Sequence, residues 1–342
     1  MEFDLMTGGG SWSDTADLAR KLERAGFSGM LFTETSLVPW MQIASAAMAA
    51  PELYFTTGIA VAFPRSPMVS AAVAWELAQN TDGRFRLGLG SQVKAHVQRR
   101  YGMEFDRPAA RMRDYVAAVK ACFRAFGREE RLAHEGEYWN LSLLPPDWAP
   151  RPHGHEMKVD ISAVGPVMTR VAGEVADGIH VHPLHSMPYI ENRLLPAVAE
   201  GAASAGREAA DIELIIPVFA CPGDTPEDRA PYVAHAKRQI AFYGSTPNYA
   251  FQFDDLGFQG TTGRIRDKMK GGELDDLGDV ITDEMLDCFA VIGRWDEIAD
   301  RLVDRYAGRA TRVVTYMGER QMRDDPAELA RWGEVAAAVR AG

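Results

Sequence analysis

Short apolar runs, rich in β-branched and aromatic residues, alternate almost from end to end with longer segments whose apolar positions fall three and four apart. The first kind predicts strands and the second predicts helices, so their alternation predicts a parallel sheet wound by helices. The strand-like runs are EFDLMT, GMLFTE, LYFTTGIAVAF and RFRLGLG, followed by KVDISAV, GIHVH, IELIIPVFA and TRVVTYM. Between the first two, SDTADLARKLERAG begins on the cap-like Ser13 and closes at Gly26, as a helix should. MQIASAAMAA and SPMVSAAVAWELAQNTDG follow the same period. Residues 108–126 carry one stripe, Met112, Tyr115, Val116, Val119, Phe123 and Phe126, and Trp295, Ile298, Leu302 and Tyr306 form another before the last strand.

Eight strand–helix units predict a closed (β/α)8 TIM barrel. That fold takes about 250 residues, which leaves roughly ninety of the 342 for insertions in loops at the C-terminal face of the strands. A single domain over residues 1–342 is expected, with the main insertion at about 245–285, where the pattern is interrupted between the seventh and eighth strands. HEGEYWNL reads as a short hairpin, and the proline-rich LLPPDWAPRPHG as a surface connection.

Composition narrows the partners. A net charge of -11 and a pI near 5.3 argue against nucleic acid, whose phosphates are bound by clustered Lys and Arg. QRRYG remains a local basic spot able to meet an anion. No apolar run approaches the ~20 residues of a membrane helix, and MEFDLMTGGG lacks the layout of a signal peptide, so no membrane and a cytoplasmic address are expected. Cys122, Cys221 and Cys288 lie far apart without C-x-x-C spacing and are expected to be buried free thiols.

In such a barrel the chemistry lies over the C-terminal ends of the strands. After VDISAV, Gly165 lets the backbone approach a ligand and Pro166 fits a first helical turn, whose free N–H groups favour an anion. A tight strand–helix turn uses a Gly-Pro step equally well. His180 and His182 stand two apart on one strand face, a spacing that can hold zinc. A metal would need further ligands at other strand ends, where only Glu34 is placed to serve, so histidines lining a pocket are the expectation. Gly88-Leu89-Gly90 leaves room for a flat ring and is followed by polar Ser91, Gln92, Lys94, His96, Arg99 and Arg100. If 93–101 is helical, His96 and Arg100 share a face, and Arg99 is expected in solvent.

GRFRLGLGS, TTGIAVAFPRSP, ISAVGP with VAGEVADGI, and VIGRWDEIADRL, in that order over about residues 2–317, resemble the luciferase-like monooxygenase superfamily, in particular its branch using the deazaflavin coenzyme F420. The resemblance implies a barrel that holds a flavin-like ring over its strand ends. It implies a non-proline cis peptide at Gly58-Ile59 under the ring, Gly90, Ser91 and Gln92 at the ring edge, and the backbone of Ala163, Val164, Gly165 and Pro166 around the cofactor phosphate. Where sugar-phosphate and alcohol dehydrogenases of the family carry Asp-His, this chain has Glu34-Thr35, and the acid that the sugar-phosphate enzymes place after the Gly-x-Gly is also missing. Glu34, His96 and His182 remain as candidate catalytic groups for proton transfer.

The implied activity is hydride transfer between F420 and a small organic substrate by a homodimer. The alternatives are an FMN-dependent monooxygenase served by a separate reductase, a non-catalytic cofactor-binding relative and, last, a zinc hydrolase. The absence of a basic residue at Ser91 or Gln92, where a flavin phosphate would be gripped, favours F420.

Overall fold

The computed structural model describes residues 1–342. Its strands are β1 (Glu2–Thr7), β2 (Gly29–Phe32), β3 (Tyr54–Thr57), β4 (Ala60–Val61) and β5 (Phe85–Gly90), the short hairpin arms β6 (His134–Glu135) and β7 (Asn140–Leu141), then β8 (Val159–Ala163), β9 (Gly178–Val181), β10 (Glu213–Pro222), β11 (Ala290–Gly293) and β12 (Arg312–Thr315). Parallel pairing runs through β1, β2, β3, β5, β8, β9 and β10, and β10 pairs with β12, which returns to β1. Eight parallel strands therefore close into the expected (β/α)8 barrel.

Two strands depart from the sequence reading. LYFTTGIAVAF is divided into β3 and β4 at Gly58-Ile59, whose peptide bond is cis, and β4 resumes the pairing with β5 through Ala60 to Leu89 and Val61 to Gly90. β11 was not foreseen: it pairs outside the closed ring with Phe219–Pro222, the end of a ten-residue β10. It follows the helix Asp283–Phe289 with no turn residue between them, so no breaker marks it in the sequence.

The helices follow their apolar stripes. All six stripe residues of Pro108–Phe126 are buried. The first helix, Trp12–Ala25, is capped by Ser11 rather than Ser13: the Ser11 hydroxyl accepts from the Asp14 N–H, and Gly26 ends the helix at φ 87°. Beyond the long helix Pro226–Gly244, residues 245–289 form short helices, including Phe251–Asp254 and Thr261–Lys270. A last helix, Pro326–Ala341, buries Trp332 against Phe3 of β1. One cluster of 81 buried residues joins the helices to the outer face of the barrel, so these layers share a single core. Cys122 and Cys221 are buried thiols as expected, but Cys288 is only half-buried, near the end of a surface helix.

Inside the barrel, inward side chains alternate with those facing the helices. Near the N-terminal ends of the strands the inward positions carry charge. Arg312 grips Asp4 with bonds of 2.6 and 2.7 Å, Arg86 grips Asp160 at 2.5 and 2.6 Å and reaches Glu213 at 2.5 Å, and Lys158 meets Glu213 at 2.6 Å. Met6, Leu31, Ile215 and Val314 pack as an apolar plug above Asp4 and Arg312. The floor is closed, so a ligand entering the barrel must do so from the opposite mouth.

Candidate active site

At that mouth a consistent step in exposure appears. Thr7, Phe32, Thr57, Ala163 and Val181 are buried at the strand ends, whereas Gly8, Thr33, Gly58, Val164 and His182, one residue further along, are half-exposed. Ser162 is also half-exposed between buried Ile161 and Ala163. Inward-facing groups can see solvent only if the space above them is open, so the barrel carries a cup at its C-terminal face.

Between β2 and β5 the cup is tightly built. A Cβ on Gly58 would lie 2.3 Å from the Leu31 side chain, and one on Gly90 would lie 2.6 Å from the Ile59 side chain and 2.7 Å from Ser162 Oγ. A Cβ on Gly88 would lie 1.9 Å from the Thr57 carbonyl and 2.4 Å from His180 Nε2. The room that Gly88 and Gly90 make is thus filled by protein, and the expectation that it takes a flat ring directly is corrected: it lets Ile59 and His180 pack inward. Half-exposed Ile59 becomes part of the cup's surface. Thr57 bridges the place where the β3 ladder ends, its hydroxyl donating to the Gly88 carbonyl at 2.7 Å and accepting from the Gly88 N–H at 2.9 Å.

Glu34 is buried beside this segment. Its carboxylate takes two bonds from Arg65, at 2.6 and 2.8 Å, and one from the Val61 N–H at 2.7 Å. Arg65 also donates to the Val61 carbonyl at 2.7 Å. Glu34 and Arg65 together clamp both backbone groups of Val61, two residues beyond the cis bond.

Ser91 and Gln92 follow β5 half-exposed, Gln92 at φ 59°, and they lead into the helix Lys94–Arg99. His96 is exposed on this helix, as is Arg99, while Arg100 turns back to donate to the Thr35 carbonyl. On the next strand, Ala163 is buried and Val164, Gly165 and Pro166 are at least half-exposed. A Cβ on Gly165 would meet nothing within 4 Å, and Gly165 is the N-cap of the helix Pro166–Val175. The first-turn N–H groups of such a helix have no partner within it. The Val164 carbonyl is fixed by the Tyr189 hydroxyl at 2.8 Å.

The two histidines of GIHVH do different things. His180 is buried in the barrel with Nε2 3.4 Å from Asp160, outside hydrogen-bond geometry. His182 lies just past β9, and its Nδ1 accepts from the Leu184 N–H at 3.0 Å, which places the ring proton on Nε2. Burial, and then the nearby His185, pull its pKa down to about 3, so it is a neutral N–H donor across the physiological range. Its ring stands edge-on to Tyr243 and Tyr249, with centroids 4.7 and 4.8 Å away. The Tyr243 and Tyr316 hydroxyls are 2.7 Å apart, and Tyr316 donates to Gln239 at 3.4 Å. No three His, Cys, Asp or Glu side chains come together in a way that could hold a metal ion.

Pairing places Glu34, Gly58-Ile59, Gly90 to Gln92, Ala163 to Pro166 and His182 on neighbouring strands, one continuous arc of the mouth. A cavity of about 940 Å³ opens on the other side, over the ends of β1, β2 and β12 and beneath the helix Pro226–Gly244. It touches Gly8, Thr33 and Tyr316 of the mouth but none of the arc residues just named.

The sequence model of luciferase-like monooxygenases matches residues 2–312. The chain belongs to the luciferase-like monooxygenase family. Members of this family are oxidoreductases and monooxygenases. A relative in Mycobacterium tuberculosis, the uncharacterized protein Rv1360, is 38% identical over 300 residues, covering 87% of this chain and 88% of that one. Among solved structures, the coenzyme F420-dependent tetrahydromethanopterin reductase of Methanopyrus kandleri superposes with a TM-score of 0.77 at 17% identity over 97% of both chains. An F420-dependent secondary alcohol dehydrogenase, in complex with an F420-acetone adduct, gives 0.74 at 15% identity over 99% of both. At these identities the two structures speak for the fold.

Within this luciferase-like barrel, Arg65, Tyr189 and Tyr243 escaped the sequence reading. Arg65 lies inside the quoted TTGIAVAFPRSP, yet nothing in that string pairs it with Glu34. Tyr316 stands one residue past β12, a rim position that the strand pattern picks out. Tyr189 and Tyr243 reach the site from helices, and no periodicity marks them.

Proposed function

We propose that the protein is an F420-dependent oxidoreductase that transfers a hydride between the deazaflavin and a small organic substrate. The observation that carries this reading is the arc of open, inward-facing positions on consecutive strands that ends at a neutral His182. The fit is favourable: Ile59 offers an apolar surface, Ser91 and Gln92 offer polar groups at its edge, and open space lies at Gly165 beside unpartnered helix N–H groups. The luciferase-like family is compatible with this cofactor, as it is with a flavin.

In this reading the backbone of Ala163 to Pro166 and the start of the helix Pro166–Val175 hold the cofactor phosphate, and Gly90, Ser91 and Gln92 hold the ring edge. When bound, the deazaflavin supplies two-electron hydride chemistry, leaving the protein to position the reactants and handle a proton. His182 serves as a hydrogen-bond donor through Nε2–H toward a substrate oxygen, and its low pKa keeps it from acting as an imidazolium acid. Glu34 is a positioning residue: with Arg65 it fixes Val61 and so the backbone beside Ile59. His96, exposed on Lys94–Arg99, is the further candidate proton-transfer group at the rim. Exposed Trp12, Val38, Met41 and Met48 give a homodimer an apolar surface on the first two helices, to be checked by light scattering.

Spectral titration with F420 and with FMN tests the reading. Saturable binding of F420, followed by bleaching or recovery of its absorbance with a substrate panel, is expected. Tight FMN binding without F420 binding would move the protein to a monooxygenase supplied by a reductase. Binding without turnover would make it a cofactor-binding relative.

A further inference from the structure

The cavity of about 940 Å³ lies within the size range of small-molecule sites and opens directly onto the mouth. Its charge is unlike that of the chain around it. The only acidic lining residue, Glu319, is paired with Arg323 at 2.5 Å, so those two cancel. Arg238 forms no ion pair, and Arg320 has only Asp324 at 3.9 Å, outside the cavity lining. At the entrance of a pocket in a protein whose net charge is -11, Arg238 is therefore unpaired and Arg320 only loosely paired. His235 adds no charge near neutrality, since burial and then Arg238 lower its pKa.

The placement is directional. His235, Arg238 and Gln239 share one face of the helix Pro226–Gly244, as their spacing of three and four requires, and Arg320 approaches from the helix Glu319–Asp324. Gly8, Thr33 and Tyr316 form the opposite end, where the cavity joins the cup. Tyr316 is linked to Tyr243, which packs against His182, so a pair of tyrosines connects the inner end of the cavity to that histidine. A molecule lying along it would have its outer end between two guanidinium groups and its inner end at Gly8, Thr33 and Tyr316. Guanidinium forks match carboxylate and phosphate oxygens.

We propose that this cavity seats the substrate and that the substrate carries an anionic group, a carboxylate or a phosphate, held at the entrance by Arg238 and Arg320. The proposal rests on the oxidoreductase reading for the word substrate, but anion binding can be measured without cofactor or turnover. Calorimetric titration at low ionic strength would use malonate and inorganic phosphate as probes, with malonamide as the uncharged control. Saturable binding of malonate or phosphate by the wild type is expected, with none of malonamide, and the stronger anion would tell a carboxylate site from a phosphate site. Both arginines are exposed, so Arg238→Glu/Arg320→Glu should fold normally, and it should weaken anion binding at least about tenfold while leaving the F420 titration unchanged. Equal binding of malonamide, failure of both anions to bind, or undiminished anion binding by the double variant would overturn the proposal. Failure of F420 to bind would instead count against the oxidoreductase reading, with the anion result still decisive for the cavity.

Discussion

The two ends of the barrel interior are built from the same strands, a few residues apart, and they treat polarity in opposite ways. Asp4, Arg86, Asp160, Glu213 and Arg312 at the floor are charged and matched, each with a partner within 2.7 Å. His182, Tyr316, Ser162 and Thr33 at the mouth are uncharged and half-exposed. Buried charges that satisfy one another have nothing left to offer a ligand, whereas a neutral donor held in place keeps a free valence. Polarity alone therefore does not mark the working end of this protein. Availability does.

Breaking the floor should have the largest effect. Burial alone would weaken the charge on Arg86, but Asp160 more than restores it, and Asp160 in turn is held below the ordinary carboxylate range by Arg86 against the cost of its own burial. Arg86→Met would leave Asp160 buried without its guanidinium and should cost about 3–5 kcal/mol of stability. Arg86→Met/Asp160→Leu removes both charges and should recover much of that loss. Urea unfolding of the three proteins measures the difference, and equal stability of the single variant and wild type would contradict the matched-charge account.

At the mouth the expected loss is catalytic. His182→Phe keeps a ring against Tyr243 and Tyr249 but deletes the Nε2–H, and turnover should fall about 10²–10³-fold, the usual consequence of losing one positioned donor. Stability should change far less than on breaking the floor. Because the pKa of His182 lies near 3, the pH–rate profile of the wild type should show no inflection from it around 6.5. Glu34→Gln comes next: it removes the charge that holds Arg65 and should cost about 1.5–3 kcal/mol, with weaker cofactor binding because Val61 is released. Paired unfolding and F420 titrations separate the two consequences.

How much of this contrast was legible in the sequence differs between its parts. Strand–helix alternation is a local property of the chain, and it marks the eight barrel strands because each is a short apolar run set between segments of helical period. The cis bond at Gly58-Ile59 and the arc around it came through resemblance to a family, since nothing in GIAVAF distinguishes that peptide from its neighbours. The clamp of Glu34 by Arg65 joins side chains 31 residues apart, and Tyr243 reaches Tyr316 across 73. Such contacts are set by how helices dock on the barrel, which no single window contains. Gly88 and Gly90 show the complementary error: small residues announce close packing, but the sequence does not say whether protein or ligand fills the space.

Acid should separate the two ends, through a smaller effect. His185, buried behind the mouth, donates from Nδ1 to the His182 carbonyl at 2.9 Å, and its Nε2 lies 3.1 Å from the Tyr306 hydroxyl, from which the neutral ring accepts. Burial is the main cause that lowers its pKa from 6.5 to about 4. The unfolded chain therefore binds a proton that the folded one refuses, so the contribution of His185 is complete above pH 6.5 and is lost as pH falls toward 4. Asp160 and Glu213, whose pKa values are lowered, keep their contributions until the pH falls into the ordinary carboxylate range and lose them progressively below it. Between pH 7 and 5.5 the stability should drop by about 1 kcal/mol through this histidine. His185→Gln should make that part of the curve shallower by this amount, leaving the similar loss that His182 contributes and the steeper loss in stronger acid, where the floor is protonated. An unchanged slope in the variant would mean that the mouth does not yield first.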